Sequence, residues 1–414
     1  MNLTRRAVVA GSALTASAQP LRAQSLSAQP ASETIRIGLL DDQSGPYRDL
    51  TGPTGTVCAR QAVKEFTTAN PSLKVELLVG DHQQKPDIAA SVVRSWIDRD
   101  GVDVIVGVGS SAVALACNTV VNEKDKVHLN TGAASSALTG ASCSPNLVHW
   151  TMDTWCGAHT IAAPTVKAGG DTWFFITADY TFGHTFQRDA TAFINAAGGK
   201  VIGSTTFPFP GTTDFASYLL EAQSSGAKVI CFANAGSDFL NSFKQAKEFG
   251  LGRNGAVLIG LAFITDVLAM GLPEAQGLTL YETFYWDLND RTRAFTARVR
   301  PNLPAGIFPN MDNAGNYGSI THYLKVAKEI GFARAKASGR GMVEAMKAMP
   351  TDDDAFGKGY IRADGRKIHP SYLFRVKSPE QSKGIGDVFT VIATVPAEEA
   401  FRPLADGHCS FIKA

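Results

Sequence analysis

The stretch from Gly107 to Ala112, GVGSSA, contains residue types that can hold an anionic group. Glycine allows a tight backbone turn, and serine hydroxyls can donate hydrogen bonds. The stretch follows an apolar run at 102–107 and precedes a helical pattern. Because the first amide groups of a helix have no partner inside it, this turn can bind a pyrophosphate, present a catalytic serine or hold a carboxylate.

The pyrophosphate interpretation rests on Gly107, Gly109 and Ala112, which match the G-x-G-x-x-[GA] pattern of dinucleotide binders. In those proteins the turn lies in the first strand–helix unit, and an acidic residue follows about 20 positions later. Here the turn follows the third predicted strand, and the next strand ends in Asn130-Thr131 without a carboxylate. Because of these two departures, an exported NAD(P)-dependent oxidoreductase is the alternative function and not the main one.

A catalytic interpretation has little support. Ser110 and Ser111 lie in neither a G-x-S-x-G nor an S-x-x-K pattern, and the eight histidines have no metal-ligand spacing. We expect no catalytic residue, no metal and no cofactor, and hence a protein that is not an enzyme.

The third interpretation, a site for an anionic solute, gains weight from a second turn of the same kind. Residues 129–140, LNTGAASSALTG, end another predicted strand and expose Gly132, Ala133, Ala134 and Ser135. Turns at one edge of a parallel sheet enclose a crevice. Helix capping by Ser110 alone is the structural alternative.

The elements that position these turns alternate between short apolar strands and amphipathic helices. Several strands are apolar at nearly every residue, which is typical of parallel strands covered by helices on both faces. Helical patterns occupy 312–330 and 340–348, a hairpin is predicted over 360–376 around Asp364-Gly365, and a last strand over 387–395. The main strand candidates are 35–40, 74–79, 102–107, 127–130, 172–177, 200–207, 227–233, 256–262 and 278–284.

This order predicts an α/β protein with two doubly wound open-sheet lobes joined by a multi-strand hinge. The chain is expected to cross between lobes near 150–155 and 284–290. The predicted division is an N-lobe of 34–152 plus 287–350, a C-lobe of 153–286 plus 351–395, and a C-terminal tail of 396–414.

The composition is that of a soluble globular protein, with 44% hydrophobic and 19% charged residues and a net charge of +1. No basic stripe indicates nucleic-acid binding. Residues 1–23 combine Arg5-Arg6, an apolar stretch and small residues, a pattern typical of a twin-arginine-like signal peptide. We therefore expect a soluble periplasmic protein.

The six cysteines lie far apart and form no CxxC motif. Cys143 and Cys409 lie in loop-like sequence, so they are the favoured disulfide pair in an oxidising compartment. Small buried apolar residues are the alternative for most of the cysteines, which are Cys58, Cys117, Cys143, Cys156, Cys231 and Cys409.

With these turns identified, the chain resembles the type I periplasmic solute-binding proteins of the leucine/isoleucine/valine (hydrophobic amino acid and amide) ABC-importer family. The resemblance runs from about residue 34 to 410. It is carried by IGLLDDQSGPYRDLTGPTG, VGVGSSAVALA, NTGAASSALTG, CSPNLVHWTMDT, ITADYTFGH and FGKGYIRADGRKI in this order. The resemblance implies a Venus-flytrap fold that closes over a small carboxylate-bearing solute and presents it to the membrane subunits of an ABC permease.

The resemblance also implies roles for particular residues. The N-lobe would contact the solute through the two turns and Tyr47, and the C-lobe through the turns after 172–177, 227–233 and 256–262. The implied ligand-binding residues are Tyr47, Gly109, Ser110, Ser111, Ala133, Ala134, Ser135, Tyr180, Phe182, Asn234, Asp238 and Phe263, with Ala235 beside them. Packing is the alternative for Tyr180 and Phe182, and helix capping for Asn234 and Asp238.

One departure from the family pattern concerns the ligand's ammonium group. Amino-acid binders of this family usually place a glutamate in a Gly-Pro-Glu turn, whereas this chain has Gly260-Leu261-Ala262-Phe263 and no acid before Asp266. Because a buried ammonium without a carboxylate partner is costly, we expect an aromatic or aliphatic carboxylate, with branched-chain amino acids as the other candidates. Phe263, and the cluster Phe284-Tyr285-Trp286, would form an apolar wall. A monomer is expected, and a ligand sensor of the same fold is a further possibility.

Overall fold

Two large sheets dominate the computed structural model, which describes residues 34–253 and 255–412. The described residues belong to one compact unit. The predicted signal peptide, 1–23, lies outside the described residues. None of the helices in the described part of the chain has the length and apolar character needed to cross a membrane.

The first sheet is formed by the N-terminal strands, in the order β2-β1-β3-β4-β5, with all neighbours parallel. Its strands and helices are β1 (Thr34–Asp41), α1 (Pro53–Ala69), β2 (Lys74–Asp81), α2 (Pro86–Asp98), β3 (Val104–Gly107), α3 (Ser111–Glu123), β4 (Val127–Asn130) and β5 (Leu147–His149). A short 3-10 helix, Ser136–Thr139, precedes β5. Strand β3 is buried along its whole length, which explains its continuous apolar pattern. Strand β4 is equally buried, although it contains His128 and Asn130.

The second sheet begins after the first crossing of the chain. Its elements are α4 (Thr154–Lys167), β6 (Thr172–Asp179), α5 (Thr181–Ala196), β7 (Lys200–Pro208), α6 (Ala216–Ser224), β8 (Val229–Ala233), α7 (Gly236–Glu248), β9 (Val257–Gly260), α8 (Ile264–Met270), α9 (Leu272–Ala275) and β10 (Thr279–Glu282). The five strands from β6 to β10 are mutually parallel. The alternation of strands and helices along the chain accounts for this arrangement, because a helix between two strands lets them run parallel.

The rest of the chain completes both lobes. It contains α10 (Asp290–Val299), α11 (Met311–Ile330), α12 (Phe332–Ala337), α13 (Gly339–Ala348), β11 (Thr351–Asp353), β12 (Gly357–Ile361), β13 (Lys367–Ile368), β14 (Ser371–Val376), β15 (Phe389–Val395) and α14 (Ala397–Ala400). Three 3-10 helices lie at Arg300–Asn302, Pro379–Gln381 and Leu404–Gly407. Helix α11 packs on α1, whereas β14 and β15 join β10 as antiparallel edge strands.

The predicted hairpin is only partly formed as expected. Strands β12 and β13 pair around the turn that contains Asp364 and Gly365, but β14 leaves the hairpin and pairs with β10 and β15. The small sheet β11-β12-β13 contacts α11 and α13, and Arg366 bridges to His149 of β5. These contacts attach residues 351–368 to the elements of the first sheet. The predicted division assigned residues 351–368 to the C-lobe. The division into lobes remains a prediction.

The C-terminal segment returns to the first lobe. A disulfide joins Cys143 to Cys409, the pair favoured by the sequence, and Arg402 donates to the carbonyl of Ser136 at 2.9 Å. The other four cysteines are free and buried. The fold class, an α/β protein with two lobes, agrees with the expectation from the strand pattern.

Candidate functional site

The serine turn lies at the carboxyl end of β3 and is sterically tight. A Cβ on Gly107 would lie 2.6 Å from Oδ1 of Asp41, and one on Gly109 would lie 2.4 Å from a methyl group of Thr51. Gly107 has a φ of +92°, and Val108 between the glycines has a φ of +63°, a left-handed conformation that is rare for a β-branched residue. Both positions therefore require glycine, because a side chain would collide with Asp41 or Thr51. Position 107 also requires glycine for its positive φ.

The two serines of this turn have different roles. Ser110 occupies the N-cap position of α3, but its side chain makes no capping hydrogen bond. Ser111, 1% exposed, accepts the amide N–H of Ser135 on its Oγ at 3.2 Å. Its hydroxyl hydrogen remains available, beside the amide groups of the first turn of α3. Ser111 lines the cavity between the lobes and Ser110 does not.

The second turn lies directly against the first. A Cβ on Gly132 would lie 2.8 Å from Cα of Gly109. The Asn130 side chain fixes the loop, because it donates to the carbonyl of Ala133 at 2.8 Å and accepts from its amide at 3.2 Å. Ser135 uses its Oγ to accept from the Ala137 amide at 3.3 Å, so it caps the short 3-10 helix. Gly132 and Ala134 line the cavity; Ala133 and Ser135 do not.

The C-lobe presents the starts of three helices to this edge. Tyr180, Ala235 and Phe263 are the N-cap residues of α5, α7 and α8, and all three line the cavity. The ring of Tyr180 stacks on that of Phe209 with centroids 4.2 Å apart. The hydroxyl groups of Tyr180 and Tyr47 are hydrogen-bonded to each other, which connects the two predicted lobes.

The lobes are in direct contact around a small cavity. The amide of Ser237 donates to the carbonyl of Pro46 at 3.0 Å, in addition to the tyrosine pair. The remaining space is about 10 Å³, which is about the room that one water molecule needs. A larger solute therefore requires the lobes to separate. The cavity is lined by Tyr47, Leu50, Gly109, Ser111, Gly132, Ala134, Met152, Tyr180, Phe182, Ala235, Leu261, Phe263 and Asp312.

Several predicted residues lie outside this cavity. Asn234 donates to Oγ of Ser242 at 3.1 Å, within the first turns of α7. Asp238 is 3% exposed, and burial raises its pKa to about 6. Neither side chain caps α7, since no capping hydrogen bond is formed at that helix. Neither residue belongs to the cavity lining, although the pKa values of Tyr47 and Tyr180, which line the cavity, are raised by burial and also by the charge of Asp238.

The aromatic cluster expected to form an apolar wall is also absent from the cavity lining. Phe284 packs against Phe295, with ring centroids 5.8 Å apart. Tyr285 and Trp286 both donate to the carbonyl of Gly386 at 2.7 Å. These aromatic side chains pack with the segments after β10 and around residue 386, so only Phe263 lines the cavity as expected.

A larger apolar groove of about 990 Å³ lies beside the segments that follow β10. It is lined mainly by apolar side chains such as Val57, Leu240, Leu268 and Leu303. None of the predicted ligand-binding residues lies in it. The smaller cavity is the better candidate because the serine turn and the helix starts meet there.

Three residues of this cavity were not predicted from the sequence, and one of them is an acid. Asp312 is the second residue of α11 and is 2% exposed. Burial, together with the charges of Asp41 and Glu282, raises its pKa well above the ordinary value. Leu50 and Met152 also line the cavity without having been predicted. Asp266, the nearest acid in the predicted turn, instead accepts from the Phe263 amide at 2.9 Å.

Comparisons with known proteins show the family of this chain. The family model described as "Periplasmic binding protein" matches residues 34–384. A periplasmic binding protein from Burkholderia mallei is 40% identical, with a TM-score of 0.86, over 92% of this chain and 100% of that one. The chain therefore belongs to the type I periplasmic binding proteins of ABC transporters, as the sequence resemblance predicted.

Two further structures extend the comparison. A branched chain amino acid ABC transporter periplasmic ligand-binding protein from Burkholderia xenovorans LB400 is 34% identical, with a TM-score of 0.79, over 91% of this chain and 99% of that one. A solute binding protein from R. palustris, in complex with benzoate, shares the fold at 20% identity and a TM-score of 0.79, over 91% of this chain and 100% of that one. The search of curated proteins found no match.

Proposed function

We propose that this protein captures a small carboxylate-bearing solute between its two lobes and delivers it to the membrane subunits of an ABC permease. The observation that carries the proposal is the cavity at the carboxyl ends of β3 and β4, where Ser111 and the first turn of α3 meet the helix starts of the other lobe. Backbone N–H groups and a hydroxyl are suitable donors for a carboxylate. The family membership supports the same role.

The proposed mechanism is lobe closure. The Tyr47–Tyr180 and Ser237–Pro46 hydrogen bonds stabilise the closed arrangement, and a solute that contacts both lobes shifts the population further toward closure. Three or four charge-assisted hydrogen bonds of about 1.5–3 kcal/mol each, offset by association entropy, are consistent with micromolar affinity. The protein in this proposal is a periplasmic monomer without enzymatic activity.

A thermal-shift screen of the purified protein tests the proposal. The panel contains branched-chain and aromatic amino acids, short amides, and aromatic and aliphatic carboxylates. A solute at 100 times its dissociation constant stabilises the native state by about 2.7 kcal/mol, so a binder raises the melting temperature in proportion to log concentration. If no carboxylate-bearing compound shifts the transition, the proposal is wrong.

The oxidoreductase alternative is not favoured by the comparisons. It is tested by titration with NAD and NADP, monitored by absorbance and fluorescence. The dinucleotide interpretation also lacks its acidic ribose ligand, because the residue that ends β4 is Asn130, whose amide is used to fix the loop.

A further inference from the structure

The loop that follows β1, residues 42–47, carries contacts that the first lobe makes with the second lobe in the closed arrangement. We call this segment the latch loop. Its Pro46 carbonyl accepts the Ser237 amide at 3.0 Å, and its Tyr47 hydroxyl is hydrogen-bonded to the hydroxyl of Tyr180. Both hydrogen bonds need Pro46 and Tyr47 at fixed positions, so closure depends on the conformation of the latch loop.

The buried carboxylate of Asp42 holds the latch loop in this conformation. Asp42 is 0% exposed. Its Oδ1 accepts the Gly45 amide at 2.6 Å, and its Oδ2 accepts the Tyr47 amide and the side-chain amide of Gln84, both at 2.9 Å. Hydrogen bonds to an ionised acceptor are stronger than those between neutral groups. The carboxylate therefore fixes the backbone on both sides of Pro46, whose carbonyl reaches the second lobe.

A second acid supports only the start of the latch loop. Asp81 accepts the Gln43 amide at 3.1 Å and the Ser44 hydroxyl at 2.5 Å. A Cβ on Gly45 would lie 2.6 Å from Oδ1 of Asp42, so the absence of a side chain at position 45 allows the close approach of its amide. Asp42 is the fully buried one of the two acids, and its hydrogen bonds reach the end of the loop.

The second lobe receives the latch loop at Gly236, the first residue of α7. Gly236 has a φ of +60°. A Cβ at this position would lie 2.5 Å from the carbonyl oxygen of Pro46 and 2.6 Å from Cδ1 of Tyr47. Non-bonded carbon atoms do not approach other heavy atoms this closely. Any larger residue at position 236 would therefore push the latch loop away from the second lobe.

Asp42 and Gly236 act on closure without lining the cavity. A solute first meets separated lobes, where the hydrogen bonds between the latch loop and the second lobe are not yet formed. These hydrogen bonds form on closure, so they stabilise the closed complex and not the first encounter. A change at either residue therefore alters how long the closed complex lasts.

We propose that Asp42 and Gly236 are positioning residues for lobe closure and that they set the dissociation rate of the bound solute. Asp42 holds the latch loop in the shape that contacts the second lobe, and Gly236 leaves room for the loop to reach it. This inference rests on the proposed function and deepens it, because it assigns the lifetime of the closed complex to residues outside the cavity.

Stopped-flow fluorescence tests the inference, because it measures association and dissociation rates separately. The probes are the members of the thermal-shift panel, beginning with leucine, phenylalanine and benzoate. Asp42→Asn and Gly236→Ala should each raise the dissociation rate by about 5- to 150-fold, the factor expected for the loss of two hydrogen bonds of ordinary net strength. The association rate should change little in both variants.

Each variant has a matched control elsewhere in the chain. Asp353, 5% exposed, also holds a turn through its carboxylate, because Oδ1 accepts the amides of Ala355 and Phe356 at 2.9 and 2.8 Å. Gly226 has a φ of +68°, and a Cβ there would meet no atom within 4 Å. Asp353→Asn and Gly226→Ala therefore weaken a turn or strain the backbone in the same way, and both should keep the wild-type rates.

A double-mutant cycle shows whether Asp42 acts through the tyrosine pair. Tyr180→Phe removes the hydroxyl that bonds to Tyr47. If Asp42 positions Tyr47 for this bond, part of its effect disappears once the bond is lost. The dissociation rate of the double variant should then rise by less than the product of the two single increases.

The outcomes separate this inference from the proposed function. Unchanged dissociation rates, or equal rates in Gly236→Ala and Gly226→Ala, overturn the inference and leave solute capture intact. Increases that multiply fully in the double variant overturn the role of Asp42. Gly236→Ala tests the inference by itself if Asp42→Asn does not fold. Failure of the wild-type protein to bind any member of the panel overturns the proposed function instead.

Discussion

Substitution of Ser111 by alanine is expected to weaken solute binding and to lower the stability of the fold, and a control variant separates these two effects. The Ser111 hydroxyl accepts the Ser135 amide at 3.2 Å and, in the proposed function, donates to the solute carboxylate. Loss of a charge-assisted hydrogen bond of about 1.5–3 kcal/mol weakens solute binding by about 10- to 150-fold. The Ser135 amide loses its partner at the same time, which lowers the free energy of unfolding by about 1–3 kcal/mol.

Ser144→Ala provides the matched control for this experiment. Ser144 is also buried, and its Oγ accepts the amide of Asn146 at the same distance, 3.2 Å. It lies outside the cavity lining. We therefore expect a comparable loss of stability in both variants, measured by chemical denaturation, but a loss of affinity in Ser111→Ala alone, measured by calorimetry with a solute from the screen. Unchanged affinity in Ser111→Ala would refute the assignment of the serine turn as the carboxylate site.

Three further predictions concern the lobes and their stability. Tyr180→Phe removes the hydrogen bond with Tyr47 but keeps the ring, so solute affinity should fall about 2- to 12-fold; calorimetry that shows no loss contradicts a role in closure. Replacement of both Cys143 and Cys409 by serine removes a covalent bond between residues that are 266 positions apart and should destabilise the fold by about 2–5 kcal/mol. Chemical denaturation of the wild type and the variant, with and without reductant, measures this difference. Burial raises the Asp238 pKa to about 6 from 3.8, so the folded protein holds this proton more tightly than the unfolded chain and the group's contribution to stability falls as the pH rises from 4 to 6. Asp238→Asn should therefore raise the melting temperature relative to wild type above pH 6 and not below pH 4; a difference that is independent of pH contradicts this.

Much of the architecture was predictable because it depends on local patterns. Strands buried on both faces tend to be apolar at nearly every residue, and this pattern located β3 and β8 at nearly their observed positions. Tight turns at the ends of parallel strands require small residues, so the Gly107–Gly109 and Gly132–Ala134 turns were recognisable as one edge of a crevice.

The orientation of individual side chains was not predictable in the same way. Ser110 and Ser111 are adjacent and identical in type, yet only Ser111 lines the cavity. Ser135 caps a short helix and Asn234 bonds to Ser242. Each choice depends on which nearby backbone or side-chain group offers a partner, and that is decided by packing.

The sequence by itself determined the two open α/β lobes and the glycine turns, because strand burial and turn geometry depend on neighbouring residues, and the resemblance of its motifs indicated the family. Only the tertiary structure decided that Asp312 lies in the cavity, since it follows Ser111 by about 200 residues of chain. Helix α11 packs on α1 of the first lobe, and this long-range contact brings a carboxyl group to the serine turn. No local pattern around residue 312 carries that information.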